Sequence, residues 1–333
     1  MLNLKADVQG AAITVELGIT DSELVAAKTL ILYGDSGLGK SSQLAEVAEY
    51  LYRRYKKPVR LVSAEDSSKT IFQPLIMAGM VQALFVTKSV NPTPTMRHLS
   101  RGDWHDGTKW HTWDGSACAY IVEGLQSIAE VLHEDCREKG RFLGEQKGNE
   151  AVEEGERLNL PGKFSYNFVQ LEMIRLLRGF AMIPGIERVL WSGHETKGVE
   201  EGTGTQIRGP ALVGTAKTGS VSKYCGALLH IDGYSQQTGK GLEAIVEVKR
   251  RIWFERHPDP QMPTVQYPAK ITIPPRAMRY FRERFPKPYF DSELKDDRLI
   301  PSVADFLDAE QYAISRSVEE LKVLREQKSK QGG

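Results

Sequence analysis

The stretch Thr29-Leu30-Ile31-Leu32-Tyr33-Gly34-Asp35-Ser36-Gly37-Leu38-Gly39-Lys40-Ser41 constrains this chain more than any other. The apolar run from Leu30 to Tyr33 reads as a buried strand, and residues 43–55 carry the spacing of an amphipathic helix. Between them Gly34, four residues, Gly39, Lys40 and Ser41 follow in the order of a phosphate-binding loop. Each residue type has a physical reason. Glycines let consecutive backbone N–H groups turn inward around phosphates, and the helix N-terminus adds its dipole. Lys40 reaches the outer phosphates and Ser41 offers a hydroxyl to Mg²⁺. Gly34, Asp35, Ser36, Gly37, Leu38, Gly39, Lys40, Ser41 and Ser42 are therefore the expected cradle for ATP with Mg²⁺. The competing account is a Gly-rich turn that matches by accident, and the strand before and helix after weigh against it.

At 333 residues, one α/β core with insertions and a tail fits as well as two domains. We divide the chain into an N-terminal extension (1–23), a core (24–256) with insertions near 88–118 and 137–165, and a proline-rich C-terminal extension (257–333) ending in a helix. The net charge of +1 gives no global pull toward nucleic acid or membrane, so an anionic partner must be met by local patches. No apolar run approaches the ~18 residues of a membrane span, and the N-terminus lacks a basic-then-apolar signal. The expectation is a soluble cytoplasmic protein without a membrane partner. Cys118, Cys136 and Cys225 are odd in number and widely spaced, which indicates packing residues rather than a disulfide framework or a zinc site. His98, His105, His111 and His133 repeat no metal-ligand spacing.

In chain order, residues 1–23 alternate weakly and suit an edge strand or lid. After the loop helix, Pro58 precedes a short buried strand (59–64) ending at Glu65-Asp66, where open α/β sheets place ligand-facing groups. A helix over 71–80 and a strand over 81–86 follow, then a polar, aromatic insertion without period (88–118). The apolar run 117–122 ends at Glu123, the position of a Walker B acid that holds Mg²⁺ directly or through water. Aspartate is usual there, and the longer Glu123 favours a water-mediated contact; a solvated turn residue is the alternative. Residues 137–165 are charged and glycine-broken, 166–180 read as a covering helix, and 188–195 as a strand ending in His194, a candidate to sense the γ-phosphate or a structural histidine. A second glycine-rich loop (197–224) leads to two strands, 226–233 and 242–254. On the second, Lys249 and Arg251 share one face. Prolines beyond 257 predict an extended path over the surface, ended by a helix from 302 to about 327.

This order of pieces resembles the RecA-type ATPase core, an α/β fold with a mostly parallel central sheet flanked by helices. Within that class, residues 30–66 and 184–231 resemble phage-encoded AAA-family ATP-binding proteins, the group that includes RecA-like single-strand annealing proteins. There the strand after the covering helix ends in His followed by Glu, as His194-Glu195 does, ahead of a loop like Gly209-Pro210. The resemblance covers roughly 25–255. It implies that Glu65 polarises the attacking water, that Glu123 with Ser41 serves the metal, and that His194 meets the γ-phosphate where recombinases often keep glutamine. It also implies that Lys249 and Arg251 reach a neighbouring subunit's nucleotide, in a homo-oligomeric ring or filament; a solvated sheet edge is the other account of these cations. Single-stranded DNA is the implied partner, held by loops 137–165 and 197–224, with aromatics of 104–113 available for stacking. The expected function is an ATPase of recombination, annealing or replication. An ATPase motor or assembly factor for DNA packaging or protein remodelling, and a nucleotide-dependent binding module with little turnover, are the alternatives.

Overall fold

The five residues Thr29–Tyr33 are buried along their whole length, as a strand covered on both faces requires. They lie at the centre of the computed structural model, which describes residues 2–8, 11–17, 28–86, 91–140, 163–200, 203–211, 221, 223–238 and 245–331. In chain order the core elements begin with β1 (Thr29–Tyr33), α1 (Lys40–Tyr55), β2 (Val59–Ser63), α2 (Ser67–Met77) and β3 (Val81–Phe85). Next come α3 (Pro92–Leu99), β4 (Ala119–Glu123), α4 (Leu125–Gly140), α5 (Lys163–Ala181) and β5 (Arg188–Gly193). A hairpin, β6 (Glu195–Val199) and β7 (Gln206–Pro210), precedes the long strands β8 (Ala227–Thr238) and β9 (Ile245–Trp253). The chain ends with α6 (Pro275–Arg284), β10 (Tyr289–Lys295), β11 (Arg298–Ile300) and α7 (Val303–Gln331).

The sheet runs β3-β2-β4-β5-β1-β8-β9-β10-β11. From β3 to β8 all neighbours are parallel; β9, β10 and β11 continue antiparallel. The chain leaves β1 for β2 across the width of two strands, β5 and β4, which are laid in later. That reversal opens a crevice at the carboxyl ends of the strands, where open α/β sheets bind ligands. Gly34, Glu65, Glu123 and His194 all sit on that edge.

Strand parity divides the core. Leu30 and Leu32 face α1, α2, α6 and α7, through Leu44, Val47, Phe72, Phe281 and Phe306. Ile31 and Tyr33 face α3, α4 and α5, through Met96, Ile128, Met173 and Phe180. Each fully buried Leu, Ile or Phe contributes about 1.5–3 kcal/mol, so both helix layers are needed to seat the sheet. Helix α1 stops where Lys56 turns left-handed (φ 55°) and returns its N–H to the Tyr52 carbonyl, ahead of Pro58. No described helix is long and apolar enough to cross a membrane, and no disulfide joins the three cysteines.

Three expectations change. The N-terminal strands Leu2–Val8 and Ala11–Leu17 pair with each other as a separate hairpin, and the described residues show no edge pairing with the main sheet. The aperiodic insertion contains α3, which begins at Pro92 because proline suits a helix's first turn. The same physics places Pro275 at the start of α6, so the chain beyond residue 257 does not merely run extended. It returns to the central sheet as β10, paired with β9 at Arg250↔Ser292 and Ile252↔Phe290. The tryptophans of the insertion also serve the fold itself. Trp104 and Trp113 lie 5.0 and 5.2 Å from the buried Arg60 guanidinium, which donates to the Gly102 carbonyl and the Tyr120 hydroxyl. Trp110 remains exposed, against His98. Of the loops 137–165 and 197–224, on which the DNA-holding expectation falls, residues 141–162, 201–202, 212–220 and 222 lie outside the described residues, while 197–199 and 206–210 belong to the β6–β7 hairpin and not to a loop.

Candidate active site

The phosphate loop leaves β1 beneath strand β8. A Cβ on Gly34 would meet the Ile231 carbonyl oxygen at 2.2 Å, so only glycine passes there. Asp35, Ser36 and Gly37 form the exposed crest; Leu38, Gly39, Ser41 and Ser42 are half-buried. Helix α1 starts at Lys40 with no side-chain cap and no acid in its first turn. Its leading N–H groups are thereby left for an anion. Lys40 is buried and folds back on the loop, donating from Nζ to the Gly34 and Asp35 carbonyls at 2.9 and 2.6 Å. Burial lowers its pKa, against the pull of the Glu65, Asp35 and Glu123 carboxylates.

Glu123 closes β4 with no solvent exposure, and neither carboxylate oxygen has a hydrogen-bond partner. Burial pushes its carboxyl up; the nearby Ser41 and Ser68 hydroxyls and Lys40 act against that rise, and the Glu65 charge adds to it. An ionised carboxylate cannot be buried unpaired without a large cost. A divalent cation held between Ser41 and Glu123 removes that cost, so the donor set fits Mg²⁺.

Glu65 follows β2 and is partly exposed. Ser127 donates to its Oε1 at 3.1 Å, and His194 Nε2 lies 3.8 Å from the same oxygen. Gly124, in left-handed conformation (φ 82°), makes room for it: a Cβ there would stand 2.6 Å from Glu65 Oε1. The fold therefore brings Lys40, Ser41, Glu65, Glu123 and His194 to one crevice. Lys249 and Arg251 are elsewhere, on the opposite face of β9 from the phosphate loop, paired with Glu293 at 2.7 Å and Asp291 at 2.7 Å on β10. The residue between them, Arg250, points to the loop side. Its Nε lies 3.2 Å from where a Cβ on Gly39 would sit.

Sequence reasoning missed Arg250, Gly124 and Gln43. Parity puts Arg250 on the face of Ile252, but that this face packs in the α1 layer is seen only in the fold. Gln43, fully buried in the first turn of α1, donates to Ser292 Oγ and accepts from the Val303 N–H, both at 2.8 Å. It ties the loop helix to β10 and α7. A polar pair this far apart in sequence leaves no local signal.

Behind the crevice, His230 bridges Glu195 and His257 (3.2 and 2.9 Å), and Arg208 approaches both Glu195 and Asp259. Burial lowers the His257 pKa to about 4, with the His230 charge adding to the effect.

No family model matches the sequence, and no curated protein does. Among solved structures, the chain is similar to a KaiC-like protein of the hyperthermophilic archaeon Pyrococcus horikoshii, at 12% identity over 82% of this chain and 88% of that one, with a TM-score of 0.38. It is also similar to the flagellar accessory protein FlaH of Methanocaldococcus jannaschii, at 8% identity over 84% and 92% of the two chains, with a TM-score of 0.40. Likeness at this level carries no weight of its own. What the structure itself gives is a mixed α/β fold with a large, mostly parallel central sheet flanked by helices, in which two later strands lie between the phosphate-loop strand and its successor.

Proposed function

We propose that the protein binds Mg·ATP at residues 34–42 and hydrolyses it. The observation that carries this reading is Glu123: a fully buried acid with two unpartnered oxygens beside Ser41, at the edge where the phosphate loop opens. Bound Mg²⁺ supplies charge neutralisation at the phosphates. The chain's own groups do the rest. Loop N–H groups and Lys40 orient the phosphate chain, Lys40 exchanging its two carbonyl partners for phosphate oxygens. Glu65 accepts a proton from the water that attacks the γ-phosphorus, while the bond to the bridging oxygen breaks and its electron pair leaves with ADP. His194 Nε2, 3.8 Å from Glu65 Oε1, would orient that carboxylate or meet the γ-phosphate. Glu65→Gln keeps the shape and removes the base, so hydrolysis should fall by about 10²–10⁴-fold with affinity retained. Parental turnover in this variant would move the base elsewhere.

The finer reading is a phage-encoded ATPase that assembles as a homo-oligomer and acts on single-stranded DNA. The sequence resemblance supports it. So does the placement of Lys249 and Arg251 on the face of β9 turned away from their own phosphate loop; to serve a neighbour's nucleotide they would exchange their Glu293 and Asp291 partners for phosphate. The test is the ATPase rate with and without a single-stranded oligonucleotide, with solution mass measured with and without nucleotide. Stimulation that declines with added salt favours the DNA reading. Turnover indifferent to DNA favours a motor or assembly factor, and nucleotide binding without turnover favours a binding module.

A further inference from the structure

From its position over the loop, we infer that Arg250 is a phosphate ligand contributed in cis, from the same subunit whose loop holds the nucleotide. The inference rests on the Mg·ATP reading above and extends it to a residue outside the P-loop. Three observations carry it. The guanidinium lies against the loop: Nε is 3.2 Å, and Cδ and Cζ are 3.7 Å, from the point a Cβ on Gly39 would take. Its neighbours on β9 are neutralised by carboxylates, Lys249 by Glu293 and Arg251 by Asp291. Arg250 makes no such pair among the described residues. A half-buried guanidinium beside a phosphate cradle, with no counter-ion among the described residues, is provided for by an anion that arrives with the ligand.

The third observation is that its position is rigid. Arg250 pairs with Gly233 on β8 and with Ser292 on β10, so the strand is held on both sides. Ser292 is in turn bonded to Gln43, one turn into the loop helix, and Gln43 accepts from Val303. Ile252, two residues on, is fully buried in the α1 layer. Strand β9 and the start of α1 are therefore clamped at a fixed spacing, with Arg250 at the gap. The planar fork of arginine can then grip two phosphate oxygens with little further ordering. Period-two alternation divides the strand's basic residues between its faces, Arg250 toward its own loop and Lys249 and Arg251 away from it.

The experiment compares the parent with Arg250→Ala, Arg250→Lys and Lys40→Ala. Displacement of a fluorescent ATP analogue by Mg·ATP is measured at a protein concentration where light scattering shows the monomer. Loss of charge-assisted hydrogen bonds predicts about 10–100-fold weaker Mg·ATP binding for Arg250→Ala. Arg250→Lys should fall between, keeping the charge and losing the fork. Among the described residues no carboxylate partner is orphaned by either change, so thermal midpoints should match the parent, which separates lost contact from lost fold. Parental affinity in a folded Arg250→Ala overturns the proposal. If the chain does not dissociate to monomers, mixtures of Arg250→Ala with Lys40→Ala decide between cis and trans. Under the proposal every site lacks either Arg250 or Lys40 and none has both intact, so no ratio restores hydrolysis; recovery would show that Arg250 acts across an interface, and would overturn it. Unchanged Mg·ATP binding by Lys40→Ala marks failure of the nucleotide-binding reading itself, a different outcome from parental binding by Arg250→Ala alone.

Discussion

Glu123 is the residue at which structure and chemistry conflict most sharply without a ligand, and its cost has a measurable sign. Burial raises its folded-state pKa above the ordinary 4.5. Between 4.5 and that raised value the folded state holds more protons than the unfolded chain, so stability declines as pH rises through this window and levels off above it. Glu123→Gln removes the titration. In the presence of a chelator, its thermal midpoint relative to the parent should climb as pH rises from about 4 and then stay level, by a few degrees for an effect on the order of 1 kcal/mol. With Mg·ATP the order reverses, because the amide is a poor metal ligand and the parent gains the linkage stabilisation. A constant difference at all pH values would mean that the Glu123 carboxyl titrates alike in the folded and unfolded chain, and would remove burial as a cost at this site. His257 has the opposite sign. Its pKa is lowered to about 4 from 6.5, so the unfolded chain binds more protons over that interval and stability is lost as pH falls from 6.5 toward 4. His257→Gln should flatten the acid limb of the stability curve, and an unchanged limb would remove His257 as its source.

Strand β9 shows at the scale of an element what local pattern reveals and what it leaves out. Its alternation placed Lys249 and Arg251 on one face from the sequence alone, and the structure has them there. The same alternation put Arg250 opposite, yet nothing in the sequence says that this face meets the phosphate loop. That follows from β8 pairing with β1, a contact across almost 200 residues. The loop, β1, β2, β4 and β5 were legible because fully buried parallel strands read as continuous apolar runs ending in polar residues. α6 and the β10–β11 hairpin were not. Proline density suggested an extended path, whereas Pro274-Pro275 opens a helix and β10 takes its place by pairing with β9. The element's two faces make separable predictions. Replacing both Lys249 and Arg251 by alanine should leave ATP binding by the monomer intact while lowering hydrolysis and nucleotide-dependent assembly. Mixed with Lys40→Ala, this double variant should recover part of the hydrolysis, since one subunit supplies an intact loop and its neighbour intact cations. Absence of recovery at every ratio, from chains shown to co-assemble, rules out the shared site.

For the whole molecule, the C-terminal segment is bound to the loop helix and to the start of β5 through several independent contacts. Tyr50 on α1 donates to Asp308, Gln43 spans Ser292 and Val303, and Arg188 at the start of β5 pairs with Glu310 at 2.7 Å. The last pair lies in the interior: Glu310 is fully buried and Arg188 nearly so, and Glu310 Oε1 has no partner. Burial pushes the Glu310 carboxyl up, with Arg188 acting against it. A pair of this kind recovers little net energy, because desolvation of both charges offsets their attraction, but breaking it leaves one charge without its partner. Glu310→Ala should therefore destabilise the fold by about 3–5 kcal/mol. The double change Arg188→Met with Glu310→Leu, which fills similar volume without charge, should come within about 1–2 kcal/mol of the parent or exceed it. Urea midpoints at pH 7 without nucleotide measure both. Mg·ATP binding links the result to function, since α7 meets the loop helix through the Gln43–Val303 bond. The double variant should bind as the parent does, and Glu310→Ala should lose apparent affinity only in proportion to its unfolded fraction. A double variant as unstable as Glu310→Ala would show that the ion pair, rather than apolar packing around it, specifies how α7 docks on β5 and α1.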